Sequence, residues 1–283
     1  MLNIRKIMLL PTLLVSTVFV FNTAIADVNT TEINSAEVDI VSEKAAQIKG
    51  LEIAAEAERR DTGWGDSSAE MSMSLSNKHG DTSTRKLRLK TLEVEADGDK
   101  SLTIFDQPRD VKGTAFLSFT HALVADEQWL YLPALKRVKR ISSSNKSGPF
   151  MGSEYAFEDL TSFELDKYTY QYLRDEQYNG MACFVVRNFP LYPKSGYTHR
   201  DVWIDKKEYR VLKVDFYDRK SDLLKSLVNS DFKQFLGQYW RPMQASMINH
   251  QNGKRTDLSW SDFKFRVGLT ERDFSKNSLQ RAK

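Results

Sequence analysis

Cysteine is almost absent. Cys183 stands alone in 283 residues, so no intramolecular disulfide can form and no thiolate cluster can hold a metal. Histidine is scarce as well. His79, His121, His199 and His250 are scattered singly, without the helical spacing that sets two imidazoles on one face. There is no Gly-x-Ser-x-Gly elbow, and no glycine-rich loop leads from a strand into a helix, so the common nucleophile and phosphate-binding signatures are missing. Excess charge of one sign is also lacking. With 41 basic and 38 acidic side chains the net charge is +3, and Arg5 and Lys6 in the acid-free first 26 residues supply two of it. A near-neutral chain lacks the basic footprint of a nucleic-acid binder. No cofactor, metal or catalytic constellation is expected, and the chain is read as a non-enzyme.

What is present is a globular composition, 41% hydrophobic and 28% charged. Met1 to Lys6 make a short positive segment, Ile7 to Phe21 are almost wholly apolar, and Ala24-Ile25-Ala26 offers small residues where a signal peptidase reads. The apolar run of about 15 residues is shorter than the ~20 needed to span a bilayer. The expectation is a signal peptide over 1–26, a flexible leader over 27–35 and one domain over 36–283, exported to the periplasm after cleavage behind Ala26.

From Ala36 to Arg60 the pattern reads as a helix, with Val38, Val41, Ala45, Ile48, Leu51 and Ile53 among its apolar positions and Gly50 weakening its middle. Beyond Gly65 the period changes to two. Met71, Met73 and Leu75 alternate with Ser72, Ser74 and Ser76, as in a half-buried strand. Leu92 and Val94 are apolar in the opposite phase to Leu87 and Leu89, which points to a bulge near Lys90 to Leu92. Short turns continue the pattern to Phe265, giving about eleven antiparallel strands. Asp201 and Asp205 flank one of them and read as turn or edge residues, and Cys183 reads as a small core hydrophobe.

The conspicuous residues are apolar and aromatic. Phe116, Phe119, Trp129, Tyr131, Phe150, Met151, Phe157, Met243 and Met247 are spread over many strands. They either close a core or line a cavity for an apolar ligand, because one helix can hardly fill the hollow of so large a curled sheet. The segment from Gly148 to Leu160 bears two glycines, Gly148 and Gly152, and the apolar Phe150, Met151, Tyr155 and Phe157, more like a lid than a solvated loop. Lys136, Arg137, Lys139 and Arg140 form a basic cluster suited to a solvated turn or an anion contact such as a lipid headgroup.

Three stretches carry a resemblance: Trp129-Leu130-Tyr131-Leu132-Pro133-Ala134-Leu135, running on to Lys136-Arg137-Val138-Lys139-Arg140-Ile141; Phe150-Met151-Gly152-Ser153-Glu154 with Phe157-Glu158-Asp159-Leu160; and Asp201-Val202-Trp203-Ile204-Asp205. Together with the leading helix and antiparallel pattern they resemble the outer membrane lipoprotein-sorting protein group of the LolA/LolB-like superfamily, from about Ala36 to the C-terminus. The resemblance implies an α+β fold, a single curved antiparallel sheet forming an unclosed barrel, with a long N-terminal helix and lid segments over a hydrophobic concave face. It implies a carrier of lipid or of the acyl chains of lipoproteins, with transient membrane-protein contacts and an inner-membrane RND-type exporter as a partner. A lid-closing arginine is also implied, with Arg85 and Arg88 as the candidates. A non-enzymatic envelope interaction or sensor module is the alternative reading.

Overall fold

The computed structural model describes residues 30–95 and 97–281. The expected signal peptide and its cleavage point lie outside the described residues. The chain divides into two compact units, 1–41 and 42–283. Of the first, residues 30–41 are described, as the beginning of helix α1 (Thr30–Arg60), which starts six residues before the point the pattern suggests.

The second unit is built on one sheet. Its strands are β1 (Asp66–Ser76), β2 (Thr82–Leu92), β3 (Lys100–Gln107), β4 (Ala115–Phe119), β5 (Glu127–Leu132), β6 (Arg137–Ile141) and β7 (Tyr168–Tyr178). They continue with β8 (Met181–Pro190), β9 (Tyr197–Asp205), β10 (Val211–Asp218), β11 (Leu223–Phe235), β12 (Tyr239–Asn249) and β13 (Arg255–Phe265), followed by helix α2 (Lys276–Arg281). The order across the sheet is β6-β5-β4-β3-β2-β1-β13-β12-β11-β10-β9-β8-β7, antiparallel throughout and unclosed. Thirteen strands replace the expected number of about eleven. β6 is one the pattern hides, because Arg137, Lys139 and Arg140 look like a charged turn. Lysine and arginine are what an exposed sheet edge uses to discourage pairing with another chain.

Alternation decides which face each residue serves. In β1, Ala69, Met71 and Met73 are buried while Ser72 and Ser74 are less so. The expected bulge near Lys90 is not there, since β1 and β2 pair without a shift from Asp66↔Leu92 to Ser76↔Thr82. Leu92 is out of phase with Leu87 because it packs on the opposite face. One cluster joins Phe105 and Phe116 of β3 and β4 to Tyr197 and Phe216 of β9 and β10. Strands so far apart in the order can share a core only if the sheet curls around it, so this is the inner face. The outer face carries two smaller clusters. Leu102, Ile104, Ala115, Leu117 and Trp129 lie under Phe274 and Leu279, while Cys183, Val185, Trp203 and Leu212 pack together elsewhere.

Within the second unit α1 buries Gly50, Ile53 and Ala54, with Ala57 half-buried, an i, i+3, i+4, i+7 stripe. This corrects the expected face: Ile48 is 50% and Leu51 45% exposed. Gly50, read from sequence as a weak point, is where the helix meets the sheet. A Cβ there would stand 2.8 Å from the Tyr172 nitrogen and 2.9 Å from Gln171 backbone atoms. Lys49 Nζ lies 3.4 Å from the centre of the Tyr172 ring on the same strand. At the helix end, Arg60 covers the Tyr209 ring at 4.2 Å and donates to the Lys207 carbonyl at 2.8 Å.

This docking yields a prediction that reverses ordinary helix propensity. Gly50→Ala in a free helix would stabilise by about 1 kcal/mol. Here it should destabilise by about 1–3 kcal/mol through overpacking against backbone. Ile48→Asp should stay within about 0.5 kcal/mol of the parent. Chemical denaturation of both variants checks the pair.

Candidate functional site

The segment joining β6 to β7, residues 142–167, lies on the inner face. Its apolar side chains are held there by aromatic contacts. The Phe150 ring is 5.1 Å from Phe116, 5.8 Å from Phe105 and 5.6 Å from Phe157, centre to centre. Phe150 is 1% exposed, and Met151, Phe157, Leu160 and Leu165 pack around the same core. Met151 (φ 51°) and Gly152 (φ 79°) turn through the left-handed region, which costs glycine little and lets the chain double back within a few residues.

Polar pins fix this strap to both halves of the sheet. Of the two arginine candidates, Arg85 on β2 donates through Nη1 to the Met151 carbonyl at 2.6 Å, and Arg88 pairs with Asp106 at 2.7 Å. Gln128 Nε2 on β5 donates to the Phe157 carbonyl at 2.9 Å. From the other half, Asn249 Nδ2 donates to Glu154 at 2.7 Å and Thr256 Oγ1 accepts from the Glu154 nitrogen at 3.0 Å. Lys225 Nζ on β11 donates to the Glu154 carbonyl at 2.8 Å and to Asp159 Oδ2 at 2.6 Å. The Lys225 and Asp159 side chains are only 4% and 5% exposed. Tyr197 OH donates to the other Asp159 oxygen at 2.8 Å. A buried pair of this kind is tolerable only with such additional bonds, and removing one partner leaves an uncompensated charge.

Beside the packed region lies a cavity of about 1150 Å³. Val202 and Ile204 of β9 and Val211 and Val214 of β10 supply an apolar wall, with Trp64, Phe232 and Trp240 further on. Val202, Ile204 and Val214 also belong to the inner core, so cavity and core are continuous. Carboxylates also line it: Glu58 and Asp61 come from the end of α1, Glu93, Glu95, Asp97 and Asp99 from the β2–β3 connection, Glu164 and Asp166 from the strap, and Glu208 from the β9–β10 turn. Burial pushes Asp99 up to about 6 and Glu164 up to about 7, the latter helped by the Asp99 charge. Burial also raises Asp61, against the pull of Arg241.

The structure divides the sequence-derived candidates. Phe116, Phe150, Met151, Phe157 and Met247 meet in the inner core, and Met243 is buried at the same parity of β12 as Met247. Phe119, Trp129 and Tyr131 belong to the outer cluster beneath α2. The register explains the split, because Trp129 faces Leu117 while Phe116 faces Leu130. None of the nine candidates lines the 1150 Å³ cavity. Its own lining includes Arg200, Asn188 and the 93–99 carboxylates, polar residues that a search for apolar stripes passes over.

One further constellation invites a catalytic reading. Ser226 Oγ lies 2.8 Å from His250 Nε2 and donates to Asp215 Oδ1 at 2.5 Å. The hydroxyl stands between acid and imidazole, so the acid does not orient the imidazole as a nucleophile relay requires. Among the described residues no group of three or more His, Cys, Asp or Glu is placed to hold a metal, and no helix is long and apolar enough to cross a membrane.

A family model described as "Uncharacterized protein" matches residues 97–281. The fold is shared with a solved structure described as an outer membrane lipoprotein-sorting protein domain from Vibrio parahaemolyticus. The identity is 60%, over 83% of this chain and all of that one, with a TM-score of 0.82. A DUF1329 family protein from Desulfovibrio piger matches at 29% identity over 83% of this chain and 99% of that one, TM-score 0.79. A LolA superfamily protein from Nitrosomonas europaea, at 20% identity over 81% of this chain and 98% of that one, has the same fold at TM-score 0.65. No curated protein matches.

Two predictions follow from the strap and the cavity. Lys225→Met strands the Asp159 carboxylate and should cost about 3–5 kcal/mol in denaturant unfolding. Asp99 and Glu164 have folded values above their unfolded ones, so folding takes up protons. Their stabilisation is complete below about pH 4 and is lost as the pH rises through about 6 to 7. The melting temperature should therefore fall between pH 5 and pH 8, and fall less in the Asp99→Asn, Glu164→Gln double variant. Equal slopes would contradict this assignment.

Proposed function

Since the chain belongs to the outer membrane lipoprotein-sorting protein family, with the LolA-like fold, we propose that it is a periplasmic carrier that takes lipid, or the acyl chains of lipoproteins, into the space enclosed by its sheet. The observation that carries this reading is the continuity of the 1150 Å³ cavity with the inner core, across Val202, Ile204 and Val214. The volume exceeds the roughly 300–1,000 Å³ of common small-molecule pockets. Each methylene transferred from water contributes about 0.8 kcal/mol, so a chain needs few specific contacts to be held. Release needs a wall that can rearrange, and Phe150, Met151 and Phe157 sit on a strap whose seat is defined by removable polar pins. Phe116, Met243 and Met247 are the sheet residues that would be uncovered when it lifts. Transport towards the outer membrane, after export and removal of the signal peptide, completes the proposal. The name of the relative from Vibrio parahaemolyticus speaks of lipoprotein sorting and not of the RND-type exporter that the resemblance implies.

The close packing around Phe150 favours a second reading, in which the inner face stays filled and the protein serves as a non-enzymatic envelope interaction module. A fluorescent fatty acid separates the two. The carrier should bind it at micromolar or tighter affinity, about 8 kcal/mol. Val214→Trp, which fills the cavity, should weaken binding at least tenfold, whereas Tyr131→Ala on the outer face should leave it unchanged. Arg85→Leu should speed both uptake and release of the probe. Absence of binding to the parent protein would decide for the interaction module.

A further inference from the structure

Five arginines line the cavity: Arg59, Arg60, Arg200, Arg210 and Arg241. Four are neutralised locally, Arg59 and Arg60 by Glu56, Arg210 by Asp205 and Arg241 by Asp61. Among the described residues Arg200 has neither a hydrogen-bond nor an ion-pair partner for its guanidinium. Its Nε is buried and unbonded, and its guanidinium lies over the Tyr168 ring at 4.2 Å. The carboxylate whose charge reaches it is Asp159, but both Asp159 oxygens are engaged, by Lys225, by the Ala156 nitrogen and by Tyr197. Arg200 is half-buried, and holding even part of a guanidinium out of water without an anion is costly.

Directly across the β8–β9 pairing stands Asn188, 5% exposed, whose Oδ1 is likewise buried and unbonded. Both residues line the cavity. The rows beyond them on the same face are apolar: Val186, Val202 and Val214 are cross-strand neighbours in the next, and Phe184, Ile204 and Val211 in the one after. Rows two residues apart are about 6.6 Å apart along a strand. A polar pair thus heads a strip of valine and isoleucine, which is the pattern of an amphiphile with a short polar head.

We propose that Arg200 and Asn188 form a headgroup site selecting acyl-chain ligands with an anionic oxygen head, carboxylate or phosphate. The proposal rests on the carrier reading and specifies its ligand. The head accepts from the Arg200 N–H groups, the only unopposed guanidinium of the cavity among the described residues. Asn188 Nδ2 donates to a neighbouring head oxygen, and the chain lies along Val202, Val214, Ile204 and Val211. Most cavity carboxylates sit on other elements, the end of α1, the 93–99 connection and the strap; Glu208, on the turn between β9 and β10, lies at the far end of the strip from Arg200 and accepts from Trp240 Nε1 at 3.2 Å.

The test is competition against a neutral polarity-sensitive dye by palmitate, hexadecyl phosphate, methyl palmitate and hexadecylamine, with inorganic phosphate as the chain-free arm. The parent protein should prefer palmitate and hexadecyl phosphate to methyl palmitate at least tenfold, and inorganic phosphate should not compete. Arg200→Gln should bring acid and ester within about twofold while leaving the ester's affinity unchanged. Asn188→Asp supplies Arg200 with an internal counter-ion, so it should abolish the preference without lowering the melting temperature, and it serves if Arg200→Gln does not fold. Equal binding of acid and ester by the parent, tighter binding of the amine, competition by phosphate alone, or selectivity surviving in both variants would each overturn the headgroup site while the carrier stands. If no chain displaces the dye, the carrier reading falls and the headgroup site with it.

Discussion

β6 and β7 are consecutive in sequence yet stand at opposite edges of the sheet, so the residues between them must link the two edges, and they do so along the inner face. The link is imposed by connectivity, and the rest of the interior is arranged around it. A sheet that curls without closing leaves a hollow too large for strand side chains to fill. The crossing segment fills part of it with Phe150, Tyr155 and Phe157 and leaves the remainder open. Its backbone is a string of short turns whose polar groups, buried with it, need partners from the sheet. Arg85, Gln128, Asn249 and Lys225 meet that need, drawn from strands on either side of the β1–β13 seam.

The two faces of the sheet divide the labour. Outward residues such as Trp129, Leu117 and Ile104 are sealed by Phe274 and Leu279 near the C-terminus, and they give the first strands a second layer. Inward residues are shared between core and cavity. Placing buried carboxylates near neutrality in the cavity lining makes its charge sensitive to modest changes of pH, while the ion pair beneath the strap lies in a drier place.

Much of this was legible from residue types. The alternation at Met71, Met73 and Leu75 announced a strand, and the glycine-bearing aromatic stretch announced a segment that packs. What escaped did so for physical reasons. β6 is charged because it is an edge, and charge masks strand character. Gly50 appears as a defect in a helix until a backbone is found 2.8 Å from where its Cβ would be. Phe116 and Trp129 both lie on strands, but whether they share a face depends on the β4–β5 register, which alternation within one strand does not determine. The cavity lining was hidden more deeply. Asp99 and Glu164 are 65 positions apart, and Arg200 in isolation is indistinguishable from any strand arginine.

The strap is anchored at both ends, to β6 and to β7, and this bears on how long it can remain away from its seat. Unpinned, its 26 residues form a closed loop rather than a free arm. The entropy such a loop gains is bounded, growing only by about 0.6 kcal/mol per doubling of length. Closure of loops of this order takes roughly 0.01–1 μs, so the search for the seat is fast. Any opening that outlasts that interval needs something other than the chain itself occupying the place where Phe150 rests.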